Sequence, residues 1–106
     1  MTGRLMMRQI CNTLNLPWND VDVALAQVQP VQIKNARWYD TMEAAVALES
    51  YYWHKASENE EHFMATGSKV YHKRASISTE RLARIREYIQ RLEVERNADH
   101  VIAGNH

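Results

Sequence analysis

Glycine, proline and cysteine are scarce in this chain. Its 106 residues include 3 Gly, 2 Pro and 1 Cys. A single thiol, Cys11, excludes an internal disulfide and a zinc site built from several cysteines. No glycine-rich phosphate loop and no G-x-S-x-G motif occurs, so nothing predicts a nucleotide-hydrolysing or serine-hydrolase site. Helix formers such as Ala, Leu, Glu, Arg and Gln dominate what remains, which predicts a mainly α protein.

An excess of charge and a long apolar run are also missing. Lys and Arg total 13, and Asp and Glu total 13. This balance argues against a polyanion-coating protein but leaves room for one basic face. No apolar stretch approaches the roughly 18 residues of a membrane span, and no apolar segment follows the first four residues as in a secretory signal. We therefore expect a protein of the reducing cytoplasm that does not enter a membrane.

Two short amphipathic helices are predicted near the N-terminus, from Leu5 to Leu14 and from Asn19 to Val28. Apolar residues recur in each at the spacing of one helical face. Pro17 separates the two helices, Pro30 ends the second, and Asn19 or Asp20 is expected to cap it. Helices this close together favour a helix-turn-helix arrangement.

A short β-hairpin and two longer helices are predicted after Pro30. Val31–Ile33, where apolar and polar residues alternate, is predicted as the first strand. Lys34 and Asn35 form the turn, and Arg37–Tyr39 is the second strand. Asp40 and Glu43 resemble a capping box, which predicts a helix from there to about Ala65. Thr66-Gly67-Ser68 breaks it, and a basic loop with Lys69, Lys73 and Arg74 is expected before the last helix, from Ser78 or Thr79 to about Asn97.

Exposed basic and amide side chains of the first half predict a duplex DNA surface. Basic groups would hold phosphates, the hairpin tip would act as a wing, and the second helix would read bases. Asp20 and Asp22 on that helix argue against this because they repel phosphates. The predicted contacts are Arg4, Arg8, Asn19, Lys34, Asn35 and Arg37, with further phosphate contacts from Lys69, Lys73 and Arg74.

Other candidate sites have simpler explanations. Trp38, Tyr39, Tyr51, Tyr52 and Trp53 are of the type that stacks on bases, but core packing is the favoured interpretation. His54, Glu58, Glu61 and His62 share one helical flank, where a solvated face is favoured over a metal site. Cys11 lies on an apolar face and is expected to be a packing residue. We predict no catalytic residue, no cofactor and no metal.

An oligomerisation seam is predicted in the last helix. Leu82, Ile85, Ile89 and Leu92 repeat at the a and d spacing of a coiled coil. A stripe this narrow suits a helix that packs on one partner.

The order of elements resembles the winged helix-turn-helix of the small terminase subunits of tailed, lambda-like bacteriophages. The residues that carry the likeness are Pro30-Val31 after the second helix, Tyr39-Asp40 after the hairpin, and Ala44-Ala45-Val46. The likeness covers residues 4–55. It implies a winged unit at 1–55 and a helical oligomerisation segment at 56–106. It also implies a non-enzymatic subunit in the host cytoplasm that binds viral DNA, assembles into oligomers and recruits the large terminase subunit.

Two other functions stay open from the sequence. An excisionase-like or MerR-like regulator would share the winged unit, and a neighbouring large-terminase gene would favour packaging over regulation. A helical adaptor or inhibitor that does not bind DNA is favoured by the acidic second helix and the neutral charge.

Overall fold

The computed structural model describes residues 3–104, with side chains described as far as residue 98. Within that range the chain is mainly helical, with a small antiparallel sheet. The elements, in chain order, are β1 (Arg4–Leu5), α1 (Met7–Leu14), α2 (Trp18–Leu25), β2 (Val31–Ile33), β3 (Ala36–Asp40), α3 (Thr41–Thr66) and α4 (Lys69–Gly104).

Local chemistry sets the ends of the first two helices. The Gln9 side chain accepts a hydrogen bond from the backbone N–H of Met6 at 2.8 Å, at the start of α1. Asn15 ends α1 in the left-handed conformation, with φ 51°. The cap of α2 differs from the prediction: Pro17 occupies the N-cap position, so Asn19 and Asp20 lie inside the helix. This arrangement releases the Asp20 side chain for other contacts.

The predicted hairpin is confirmed, and a third strand extends it. β2 pairs with β3 in the register Val31↔Trp38 and Ile33↔Ala36. β1 pairs with the other edge of β3, so the sheet order is β1-β3-β2. The prediction that the first helix begins at Leu5 is wrong, because Leu5 lies opposite Tyr39 in this sheet. The Thr41 hydroxyl stabilises the same edge by donating a hydrogen bond to the Gly3 carbonyl oxygen at 2.6 Å.

The long helices form an antiparallel pair. Asp40 caps α3 by accepting from the Glu43 N–H at 3.0 Å, as predicted. Gly67 ends α3 with φ 70°, a left-handed conformation that favours glycine. The basic loop predicted after it is wrong: Lys69, Lys73 and Arg74 lie in the first turns of α4. Residues 57–66 of α3 and 69–78 of α4, called the arm below, run side by side.

One hydrophobic core joins the N-terminal elements to α4. Ile10, Val21 and Leu25 of the short helices belong to the same buried cluster as Leu48 and Ile85. Ala44 and Ala45 are each 1% exposed, and their small side chains let neighbouring elements approach α3 closely. The core therefore crosses the expected boundary between 1–55 and 56–106.

The predicted oligomerisation seam lies inside this core. Leu82, Ile85, Ile89 and Leu92 are all buried, with Ile85 0% exposed. They pack with residues of the same chain, so in this fold the stripe is an intramolecular contact surface of α4.

Candidate nucleic-acid interface

The hairpin tip exposes basic and amide side chains. Lys34 and Asn35 form the turn between β2 and β3, and both are exposed. Lys34 has φ 56°, a left-handed conformation that is uncommon for a residue with a Cβ atom. Arg37, three residues after Lys34, is also exposed. The hairpin thus carries its two cations at its free end, away from the core.

The sheet directs its basic side chains to both faces. Side chains alternate along a strand, and directly paired residues share a face. Arg4 pairs with Asp40, whereas Arg37 lies on the Tyr39 side of β3. Arg4 and Arg37 therefore extend from opposite faces of the sheet. The six predicted contact residues are all exposed, and they do not form one flat patch; they are Arg4, Arg8, Asn19, Lys34, Asn35 and Arg37.

The acidic side chains of the N-terminal half are largely engaged elsewhere. Asp40 caps α3, and Glu49 forms an ion pair with Arg86 at 3.3 Å. Asp20 pairs with Arg81, also at 3.3 Å. By contrast, four exposed cations of the N-terminal elements form no ion pair with any described side chain; they are Arg4, Arg8, Lys34 and Arg37. The surface of this half is accordingly more basic than its composition indicates.

Asp20 is the centre of a polar network between three helices. Its carboxylate accepts hydrogen bonds from the hydroxyl of Tyr52 at 2.7 Å and of Tyr51 at 2.9 Å. Arg81 of α4 contacts the same carboxylate, and its guanidinium lies 5.9 Å from the centre of the Tyr52 ring. The network fixes α2 against α3 and α4. Position 20 borders the apolar stripe of α2, next to Ala24 one turn on, but its partners are remote in sequence.

This network changes the acid–base behaviour of the two tyrosines. Burial, followed by the hydrogen bond to Asp20 and its negative charge, raises the pKa of Tyr51 to about 12. The same causes, in the same order, raise the pKa of Tyr52 still further. A tyrosine whose pKa is higher in the folded than in the unfolded state contributes to stability. The contribution is complete at pH values below the unfolded pKa of about 10. That contribution is lost as the pH rises through the folded pKa.

We therefore expect a delayed alkaline titration. In the wild-type protein, phenolate absorbance should still be rising near pH 12 because Tyr51 is protonated until then. In Asp20→Asn the negative charge is removed and the hydrogen-bond acceptor is weakened, while burial remains, so the phenolate signal should develop at lower pH than in the wild type. Asp22→Asn is the matched control on the same helix. Superimposable curves for Asp20→Asn and the wild type would contradict the proposed role of Asp20.

Most of the aromatic residues considered for base stacking are engaged in the fold. Tyr39 and Tyr52 are buried, and Trp38 is half-buried. Tyr51 packs edge-to-face on Tyr52, with ring centres 5.1 Å apart. Trp53 differs, being 50% exposed on α3. Core packing thus accounts for Tyr39 and Tyr52.

The histidines of the arm stack against aromatic rings. His62 stacks on Tyr71 with ring centres 4.9 Å apart and an angle of 27° between the rings, and Phe63 lies tilted against His72 at the same separation. His54 and Glu58 are exposed nearer the core. Among the side chains described, no three metal-binding groups converge. The stacked pairs instead join the two helices of the arm, which has little aliphatic core of its own.

The cysteine and the three arm cations considered in the sequence also have clear environments. Cys11 is half-buried on α1, and burial raises the pKa of its thiol, which disfavours the reactive thiolate. Lys69, Lys73 and Arg74 are exposed on the arm, and Arg74 lies 5.8 Å from the centre of the Tyr71 ring. The basic group of the arm is therefore accessible to a partner.

Sequence reasoning missed an exposed apolar residue on α2. Val23 is 59% exposed, next to Asp22, which is also exposed, and one turn after Asn19. The sequence analysis considered only the amides and carboxylates of this helix. The available signal was Val23 itself, an apolar residue among the polar residues of the exposed face.

No helix within residues 3–104 combines the length and the apolar character needed to cross a membrane. Comparison of the chain with family models, with curated proteins and with solved structures found no match.

Proposed function

We propose that this chain is a non-enzymatic DNA-binding subunit of the small-terminase type, acting in the host cytoplasm. In this proposal α1 and α2 form a helix-turn-helix, and the β2–β3 hairpin is its wing. The order β1-α1-α2-β2-β3-α3 supports that interpretation. The observation that carries it is the set of four exposed cations without an ion-pair partner in the described chain, distributed over β1, α1 and the hairpin.

The environment of Asp20 removes part of the electrostatic objection to DNA. Its carboxylate accepts hydrogen bonds from Tyr51 and Tyr52 and forms an ion pair with Arg81. The positive charge of Arg81 offsets the negative charge of the carboxylate. Asp22 is then the one acidic side chain on the exposed face of α2 in the described structure. A helix with this face can approach a duplex while Arg8, Lys34 and Arg37 contact the phosphates.

Assembly and recruitment are assigned to the arm. Because the α4 stripe is used in the core, contacts with further copies and with the large terminase subunit fall to other surfaces. The arm offers exposed apolar side chains, Met64 at 78% and Val70 at 55%, beside its basic group. Lys69, Lys73 and Arg74 would add phosphate contacts when DNA passes the arm.

Binding to duplex DNA should depend steeply on salt. Three phosphate contacts, from Arg8, Lys34 and Arg37, give a slope of about −2.7 in log K against log salt, so affinity should fall roughly 40-fold between about 50 and 200 mM salt. Removing two cations with Lys34→Gln/Arg37→Gln should weaken binding to unrelated duplexes by similar factors and make the slope shallower by about 2. Fluorescence anisotropy with labelled duplexes measures both effects.

Arg91→Gln is the control for that experiment. Arg91 is an exposed cation of α4 that pairs with Glu87, and its removal should leave the salt slope unchanged. An affinity that varies less than twofold over the salt range, or a double variant that binds like the parent, would refute the phosphate contacts.

A helical adaptor without DNA is the second candidate. The observation that favours it is the exposed apolar surface along the outer side of α3, with Trp53 at 50% and Val46 at 49%. If no duplex binds even at about 50 mM salt, where electrostatic binding is strongest, this candidate replaces the first.

A further inference from the structure

The arm lacks a hydrophobic core of the kind that holds the rest of the protein together. Among its described side chains, Ser78 at its base is the one that is buried, and the nearest buried residue of α3 is Tyr52. Met64 is 78% exposed, and a groove of about 340 Å³ opens between the two helices beside Phe63 and His72. Hydrophobic burial therefore stabilises the arm far less than it stabilises the core of the remaining chain, called the body below.

One level of aromatic contacts, close to the Gly67 turn, joins the two arm helices. His62 stacks on Tyr71 and Phe63 lies against His72, each pair with ring centres 4.9 Å apart. Phe63 and Tyr71 are half-buried. Separation of the helices at this level would uncover both rings.

Opposite charges are segregated on the two arm helices. The α3 side carries three glutamates and no Lys or Arg, and the α4 side carries three cations and no acid; they are Glu58, Glu60, Glu61, Lys69, Lys73 and Arg74. All six side chains are exposed, and none forms an ion pair with another described side chain. The attraction between the two helices therefore acts through solvent, beyond direct contact, where salt screens it.

We propose that the arm opens as one unit while the body stays folded, and that the attraction between its two oppositely charged helices sets how often it opens. Local opening costs least where few apolar contacts are buried, which describes the arm and not the body. Opening would uncover Phe63 and Tyr71 beside Met64, which is exposed already. Where the arm serves assembly, its contacts would then depend on salt through this opening; that consequence rests on the proposed function, whereas the opening itself does not.

Hydrogen exchange of the full chain, followed for each backbone amide by NMR, tests the opening. Amides of residues 62–66 and 73–77 are expected to exchange at least about 100-fold faster than those of Leu48 and Ile85, which are 0% exposed in the core. Amides on both arm helices should share one opening free energy. Arm amides that exchange as slowly as the core amides would show that the arm opens only when the whole protein unfolds. Opening free energies that differ between the two arm helices would show separate fraying in place of one opening.

Glu60→Gln/Glu61→Gln tests the electrostatic part of the proposal. No Lys or Arg lies three or four positions from either glutamate on α3, so the cations that attract them are those of α4. Raising sodium chloride from about 10 to about 500 mM shortens the screening length from about 30 Å to below about 5 Å, and should speed arm exchange in the wild type about 2–5-fold. In the double variant, arm exchange should already be faster at low salt, and its rise with salt should be less than about half as large.

Glu93→Gln/Glu95→Gln is the matched control, because these exposed glutamates lie on α4 outside the arm and their loss should leave arm exchange and its salt response as in the wild type. Equal arm exchange in the wild type and in Glu60→Gln/Glu61→Gln at low salt would overturn the electrostatic closure. Neither measurement involves DNA. A chain that binds no duplex but has a fast, salt-dependent arm would overturn the proposed function alone, and a chain that binds DNA with an arm as protected as the core would overturn this inference alone.

Discussion

Replacing Ile85 by alanine is expected to lower the free energy of unfolding by about 3–5 kcal/mol. Ile85 is 0% exposed and lies in the cluster that joins α4 to the N-terminal helices. The change removes buried apolar surface and leaves a cavity that the surrounding helices fill only in part. Because domains of this size are stable by about 5–15 kcal/mol, the loss is a large share of the total. Urea denaturation followed by circular dichroism measures it.

The dependence on protein concentration separates the two interpretations of the α4 stripe. If Ile85 packs within its own chain, the destabilisation should be the same at every concentration. A seam between copies would make the stability of the wild type rise with concentration, and Ile85→Ala would remove that rise. Ile85→Val, expected to cost about 0.5–1.5 kcal/mol, provides a folded variant if the alanine protein does not fold. Val94→Ala, at an exposed site of α4, should change stability by less than about 0.5 kcal/mol.

Those elements whose limits depend on a single residue's conformation could be predicted from the sequence. Pro17 separates α1 from α2, Asp40 caps α3, and Gly67 ends it. The hairpin followed from its alternating residues and its polar turn. In each case the deciding chemistry lies within a few residues of the boundary, so no knowledge of the rest of the chain was needed.

The errors arose where distant contacts decide the structure. β1 has two residues, and its conformation depends on pairing with β3 more than thirty positions away. The start of α4 was placed too late because residues 69–76 carry a basic cluster, although no glycine or proline occurs between Ser68 and Ala103. That segment is helical because it lies against α3, where Tyr71 meets His62.

A periodic stripe shows that a helix packs, but it does not show against which chain. Leu82 and Ile85 repeat as a coiled-coil seam would, and the same spacing suits a helix that closes the core of its own domain. The exposed cations of the candidate site were easier to predict because hairpin turns and helix ends lie on surfaces. Asp20 was misjudged as a solvent-facing acid, since its partners at positions 51, 52 and 81 meet it only in the folded chain.

Replacing Asp20 by alanine should lower the free energy of unfolding by about 2–4 kcal/mol. The change removes the acceptor of both tyrosine hydroxyls and the ion-pair partner of Arg81. Hydrogen bonds to a charged group contribute about 1.5–3 kcal/mol each. The Asp20 side chain is 27% exposed, so in the alanine variant water can replace part of the lost hydrogen bonding. The expected destabilisation is therefore smaller than the added contributions of the separate hydrogen bonds. Asp20→Asn, which retains an acceptor, should cost less than Asp20→Ala.

Asp22→Ala is the control because it removes a carboxylate from the exposed face of the same helix, and it should change stability by less than about 0.5 kcal/mol. Equal stability of the two alanine variants would show that the network does not stabilise the fold. A double-mutant cycle with Tyr52→Phe isolates the 2.7 Å hydrogen bond, since phenylalanine removes only the hydroxyl. We expect a coupling of about 1–2 kcal/mol. Because Tyr52 belongs to α3 and Asp20 to α2, that coupling would measure how firmly the exposed face of α2 is held against the rest of the protein.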